Sequence, residues 1–229
     1  MTIKHIRNKP VKSVKKPVRN SKKDRLAGKH TEIVCILDRS GSMSAIQDDT
    51  IGGFNEFLTR QKKVEGEARL TLVLFDDQYE VVHSGVDLKA VAPLTKDTFV
   101  PRGSTALLDA IGRTLSTLAD RIARASPPKR PDRVIIAILT DGEENASREY
   151  DRQSIFDMIA KLREKRGWEF VFLAANQDAM AAAASLSIDS RSTMGFRSDG
   201  EGTRKAFRGM SNMFTSRRRN RSKPIAAPR

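Results

Sequence analysis

Residues 31–43 read TEIVCILDRSGSM. A short, nearly continuous apolar run ends abruptly at Asp38, and small polar residues follow it. This is the profile of a strand buried on both faces of a sheet. It recurs at residues 133–139 (RVIIAIL), closed by Thr140-Asp141-Gly142, and at residues 168–174 (WEFVFLA). Strands of this kind belong to parallel sheets covered by helices, so the intervening segments should be helical.

Their periodicity agrees. In residues 106–124, Leu108, Ile111, Leu115, Leu118 and Ile122 recur at spacings of three and four, which places them on one helical face. Pro127, Pro128 and Pro131 end that helix. Residues 45–63 set Ile46, Phe54, Phe57 and Leu58 on one side. Residues 151–166 do the same with Ile155, Met158, Ile159 and Leu162, and Gly167 stops them. Residues 69–75 (RLTLVLF), a turn at Asp76-Asp77, and Tyr79, Val81 and Val82 predict a hairpin. A longer connection, residues 88–103, contains Pro93 and Pro101. An Ala-rich helix over 178–186, a short strand over 192–196 and a helix over 202–214 complete the series. The expected fold class is α/β: a doubly wound, Rossmann-like, mostly parallel sheet with one antiparallel edge hairpin and helices on both faces.

Charge is placed unevenly. Residues 1–29 hold eleven Lys or Arg and one Asp, a net of +10, and residues 217–229 hold six basic residues and no acid. With the whole chain at +14, residues 30–216 carry about −2. The expected organisation is a basic, disordered tail over 1–29, one domain over 30–216, and a second basic tail over 217–229. No apolar run approaches the roughly 20 residues that a membrane-spanning helix needs. A single cysteine, Cys35, forms no internal disulfide, so a reducing, cytoplasmic setting is expected. His5, His30 and His83 are scattered and form no ligand pair.

In open α/β sheets, ligands sit beyond the carboxyl ends of the strands. Three polar loops reach that edge: Asp38-Arg39-Ser40-Gly41-Ser42-Met43, Arg102-Gly103-Ser104-Thr105, and Thr140-Asp141-Gly142-Glu143-Glu144. Together they bring two carboxylates and three hydroxyls. Each has a plainer reading: Asp38 and Asp141 as turn or helix-capping residues, and Ser42 or Ser44 and Ser104 or Thr105 as helix N-caps. Glu143, Glu144 and Asn145 could tune the site, meet a partner, or be solvated.

Asp38-x-Ser40-x-Ser42, then Thr105 before a long helix and Asp141 after a buried strand, resembles the metal-ion-dependent adhesion site of von Willebrand factor A domains. The resemblance covers roughly residues 31–196. The stretches GSTALLDAIG (103–112) and LTDGEENASREY (139–150) look like those of stand-alone bacterial and phage members. It implies that Asp38, Ser40, Ser42, Thr105 and Asp141 hold one Mg²⁺ or Mn²⁺. The hydroxyls would ligate directly, and the carboxylates would act mostly through waters. An acidic residue of a protein partner would complete the coordination. Hard divalent cations do favour such oxygen donors.

The expected function is a metal-dependent protein-binding module serving recruitment or assembly, not an enzyme, because no nucleophile–base pair accompanies the five residues. A haloacid-dehalogenase-type phosphatase would need an aspartate where Ser40 stands, and a P-loop would need a GxxxxGK[ST] run, which is absent. Two alternatives stay open. The basic tails would attract nucleic acid without sequence preference. Similar domains also act as regulatory subunits beside ATPases, kinases or phosphatases.

Overall fold

Eight consecutive buried residues, Thr31–Asp38, form β1 at the centre of the sheet. The computed structural model describes residues 30–175 and 178–219; the residues of both expected tails outside those bounds are not described. β1 pairs in parallel with β2 (Ala68–Phe75) on one side and with β4 (Arg133–Thr140) on the other. The full strand order is β3-β2-β1-β4-β5-β6, with β3 (Tyr79–Asp87) the antiparallel edge, β5 at Glu169–Ala175 and β6 at Thr193–Phe196. The mostly parallel sheet with one edge hairpin is thus as the sequence predicts. Chain direction reverses its lateral progress between β1 and β4, which opens a crevice there for ligands.

Alternation along β1 feeds two cores. Ile33, Cys35 and Leu37 face α1 (Gln47–Lys62) and α5 (Gly200–Arg219), with Phe54, Phe57, Phe207 and Phe214. Val34 and Ile36 face α2 (Leu107–Arg124), α3 (Arg152–Arg166) and α4 (Ala179–Ala184). α1 and α5 pack closely: the rings of Phe57 and Phe214 meet edge to face at 5.2 Å. A Cβ at Gly53 would fall on the Phe207 ring. Both ends of α3 follow local rules. Asp151 accepts from the Ser154 amide at 2.7 Å, and Gly167, at φ 64°, lets Trp168 N–H reach back to the Leu162 carbonyl.

One boundary needs correcting. The sequence places the start of the C-terminal tail at Arg217, yet α5 continues through Arg219 and Arg218 is buried. Phe214 anchors this last turn in the core. The Arg218 guanidinium then donates to the Gln61, Val64 and Gly66 carbonyls at and just beyond the end of α1. These carbonyls lie at and beyond the helix C-terminus, where a cation also complements the helix dipole. Among the described residues, no helix is long and apolar enough to cross a membrane.

Candidate metal centre

Parallel strands end together, so β1 and β4 deliver Asp38 and Asp141 side by side. A 3₁₀ turn over Gly41–Ile46 carries Ser42 outward, while Ser40 stays buried. The loop before α2 lies against this turn: the Gly41 amide donates to the Gly103 carbonyl and the Arg102 amide to the Arg39 carbonyl. That contact brings in Thr105, itself buried.

Ser42 Oγ donates to Asp141 Oδ1 at 2.6 Å, and Ser40 Oγ lies 3.1 Å from Ser42 Oγ. Ser42 gives its proton to Asp141, and the Ser40 side chain also hydrogen-bonds the Asp38 carboxylate. Both serine hydroxyls are thus held by carboxylates, with oxygen lone pairs left over. Asp38 Oδ1 accepts from the Ser40 amide at 2.7 Å, and its Oδ2 accepts from Thr140 Oγ1 at 2.6 Å. Ser198, just past β6, donates to Asp141 Oδ2 at 3.4 Å.

Gly142 reports where the cup lies. A Cβ on its backbone would sit 3.2 Å from Thr105 Oγ1, 3.6 Å from Ser42 Oγ and 4.0 Å from Ser40 Oγ. All three hydroxyl oxygens thus lie within 4.0 Å of one point, and a glycine keeps that point clear. Burial pushes the Asp38 carboxyl up to about 6, against hydrogen bonds from Thr140 and Ser40 that favour its charge; the Asp141 carboxylate adds to the rise. Desolvation and the neighbouring carboxylate both disfavour the charge on Asp38, and a cation would relieve both. Among the described residues, no three His, Cys, Asp or Glu side chains stand together as a metal cluster. The candidate set is hydroxyl-rich instead, and it fits a hard divalent cation.

The five expected residues therefore meet at one edge, but not as helix caps. The residues at the N-cap positions of α1 and α2 are Ile46 and Ala106, neither with a capping side chain. The segment after Asp141 does that work for α2. Glu144 accepts from the Leu108 amide, Ser147 from the Asp109 amide, and Asn145 from the Thr105 amide. Asp109 answers by accepting the amides of Arg148, Glu149 and Tyr150; burial opposes its ionisation, but these bonds hold its carboxyl below the usual range. Glu144 and Asn145 thus fix Asp141 relative to Thr105, while Glu143 is exposed.

Asp76 is the residue that sequence reasoning missed. Expected as a plain turn, it is fully buried and accepts from Arg39 Nε at 3.0 Å, Arg102 Nε at 2.8 Å and the Gln78 amide at 2.6 Å. Arg39, the middle residue of Asp38-x-Ser40, is 4 % exposed and also reaches Glu80 at 2.6 Å. This ionic clamp locks two of the site's loops to the β2–β3 hairpin. Cys35 lies inside β1, its thiol pushed up by burial, and His83 sits on the edge strand β3 away from the cup.

No family model and no curated protein sequence matches the chain. Solved structures do match. Proximal thread matrix protein 1 from the mussel byssus, with a zinc-occupied MIDAS motif, aligns at a TM-score of 0.56 and 16 % identity over 82 % of this chain and 46 % of that one. Manganese-loaded TRAP protein of Plasmodium vivax aligns at 0.54 and 16 %, covering 78 % and 72 %. The vWF domain of the type V pili tip protein of Porphyromonas gingivalis aligns at 0.55 and 11 %, covering 86 % and 98 %. The chain spans less than half the length of the mussel protein. At these identities the likeness concerns the fold: the chain has the von Willebrand factor A fold.

Proposed function

We propose that this von Willebrand factor A-type domain binds a divalent cation, Mg²⁺ or Mn²⁺, and through it an acidic side chain of a protein partner, so that it recruits or assembles rather than catalyses. The observation that carries the reading is the cup itself. Three hydroxyl oxygens surround one point that Gly142 leaves clear, and Asp38 and Asp141 stand behind them. Ser40, Ser42 and Thr105 would ligate the cation, and the two carboxylates would orient them and supply negative charge. Because the direct ligands are neutral, a bound cation keeps most of its charge and attracts a further anionic oxygen. The mussel and Plasmodium proteins were solved with zinc and manganese, which supports a divalent ion here.

The test uses Mn²⁺ with the full chain, read by calorimetry and by the relaxation of water protons. Saturable binding at one site is expected. A short glutamate-containing peptide should lower the relaxation by displacing metal-bound water, and its glutamine counterpart should not. Asp141→Ala should weaken Mn²⁺ binding by roughly 10–100-fold, the range for a residue that orients ligands. Gly142→Ala should weaken it too, with little change in melting temperature. Unaltered affinity in both variants would refute the site, and indifference to the peptide would refute the acidic partner.

A further inference from the structure

Five of the six residues of α4 are alanines. Ala179 and Ala183 are buried in the core, whereas Ala181 is exposed and Ala182 half-buried. With nothing beyond Cβ, these two leave open the space between α4 and the loop that follows β4. The result is a cleft of about 390 Å³ floored by the buried side chains of Leu107, Phe172 and Leu186. Gly142 lines it as well, and Gly142 is also the residue that keeps the point between the three hydroxyls clear. Cup and cleft are therefore neighbouring parts of one surface.

The polar lining of the cleft is mainly acidic. Glu144 accepts the amides of Leu108, Ala146 and Ser147, and Asp178 those of Met180 and Ala181. Arg152 is engaged by Ser185, to whose Oγ it donates at 2.7 Å. Glu143 is exposed and has neither a hydrogen bond nor an ion pair with any described residue. Three carboxylates thus stand against one guanidinium, and one of the three is uncommitted. An apolar floor beneath an acidic rim fits a side chain with an aliphatic stem and a cationic tip. A purely aliphatic side chain would cover Glu143 without answering its charge, and an acidic one would be repelled. The flanks of the cleft are also apolar for a surface: Phe156, one turn along α3 from Arg152, and Met180 on α4 are both exposed.

We propose that this cleft receives a lysine or arginine of the same partner segment whose acidic side chain completes the metal coordination. The domain then selects an acidic residue that has a basic one close by in sequence. Glu143 meets the cationic tip, and Ala181, Ala182 and Leu186 line the stem. This inference rests on the metal-bridged reading above and adds to it a reason to prefer one acidic segment over another.

The test uses the full chain in saturating Mn²⁺ and a set of serine-rich peptides. Each carries one glutamate and a single lysine one, two or three residues to either side of it. A lysine-free peptide and a glutamine-for-glutamate peptide are the references. At least one lysine position should tighten binding by roughly tenfold over the lysine-free peptide, from a solvent-exposed ion pair and a part-buried stem. Norleucine there should give less. The gain should vanish in Ala181→Phe, which fills the cleft, and fall to the norleucine level in Glu143→Gln. Ala181→Phe should bind Mn²⁺ and the lysine-free peptide as wild type does. Each gain is a ratio within one variant, so any general loss of metal affinity in Glu143→Gln cancels. Melting curves confirm that both variants are folded. If Mn²⁺ binds and glutamate is preferred to glutamine, yet no lysine position improves binding, the cleft proposal is overturned and the metal-bridged reading stands. A gain that survives both substitutions places the basic residue elsewhere and also overturns it. Absence of Mn²⁺ binding, or indifference to glutamate, would instead refute the metal-bridged reading, and the cleft proposal with it.

Discussion

Asp76→Ala is expected to lower the unfolding free energy by about 3–5 kcal/mol, the cost of removing one partner of a buried ion pair. Asp76 is fully buried, and the Arg39 guanidinium it holds is 4 % exposed. With the carboxylate gone, Arg39 keeps only Glu80, which is half-exposed and anchors it from one side. Its Nη2 already has no partner, so the penalty falls on a cation that cannot turn to water. Asp77→Ala, one residue on and exposed, should stay within about 0.5 kcal/mol. Equal destabilisation by the two changes, read from denaturant unfolding, would refute the clamp. Acid should reproduce the effect. Burial raises the Asp76 carboxyl, but Arg102, the Gln78 amide and Arg39 outweigh it and hold it below its ordinary value of 3.8. A depressed carboxyl contributes stability that is present above the unfolded value and lost as pH falls below it. Wild type should therefore lose this increment below about pH 4, and Asp76→Ala should lose less over the same window.

Asp38→Asn should raise metal-free stability by about 1–3 kcal/mol while weakening divalent-cation binding by two orders of magnitude or more, about 3 kcal/mol. The two effects share one cause. Asp38 is fully buried and close enough to Asp141 for the two charges to repel. Asparagine keeps the shape and still accepts the Ser40 amide, yet removes a buried negative charge that only a cation would match. Thermal melts in a chelator should show the gain, and melts in excess Mg²⁺ should show wild type catching up or passing the variant. If Asp38→Asn melts lower than wild type without metal, the carboxylate is serving the fold rather than an ion.

Much of this was legible in the sequence because it is local. TEIVCILD, RVIIAIL and WEFVFLA announce buried strands by composition alone, and Asp38, Ser40 and Ser42 follow the first within five residues. Thr105 and Asp141 were recoverable because each sits at the junction of a strongly periodic element with a polar loop. Asp76 was not. An Asp-Asp pair in a hairpin reads alike whether solvated or buried, and what decides is Arg39, 37 residues away on another loop. The end of α5 was hidden for the same reason. Apolar periodicity stops at Phe214 and three arginines follow, as in a tail, but Arg218 is fixed by carbonyls more than 150 residues earlier. Glu144 and Asn145 likewise show their role only against the first turn of α2.

β1 has a parallel strand on either side and all eight of its residues buried. Amides in such a strand are released to solvent exchange only when the whole domain opens, whereas short edge elements such as α4 and β6 open on their own at smaller cost. Asp38 is the last residue of the segment that opens last, and Ser198 stands next to one of those that open first. The rear wall of the cup therefore persists through the fluctuations that loosen its rim. An ion bound as proposed would meet a seat already formed on one side, with the more loosely held side left to adjust to it.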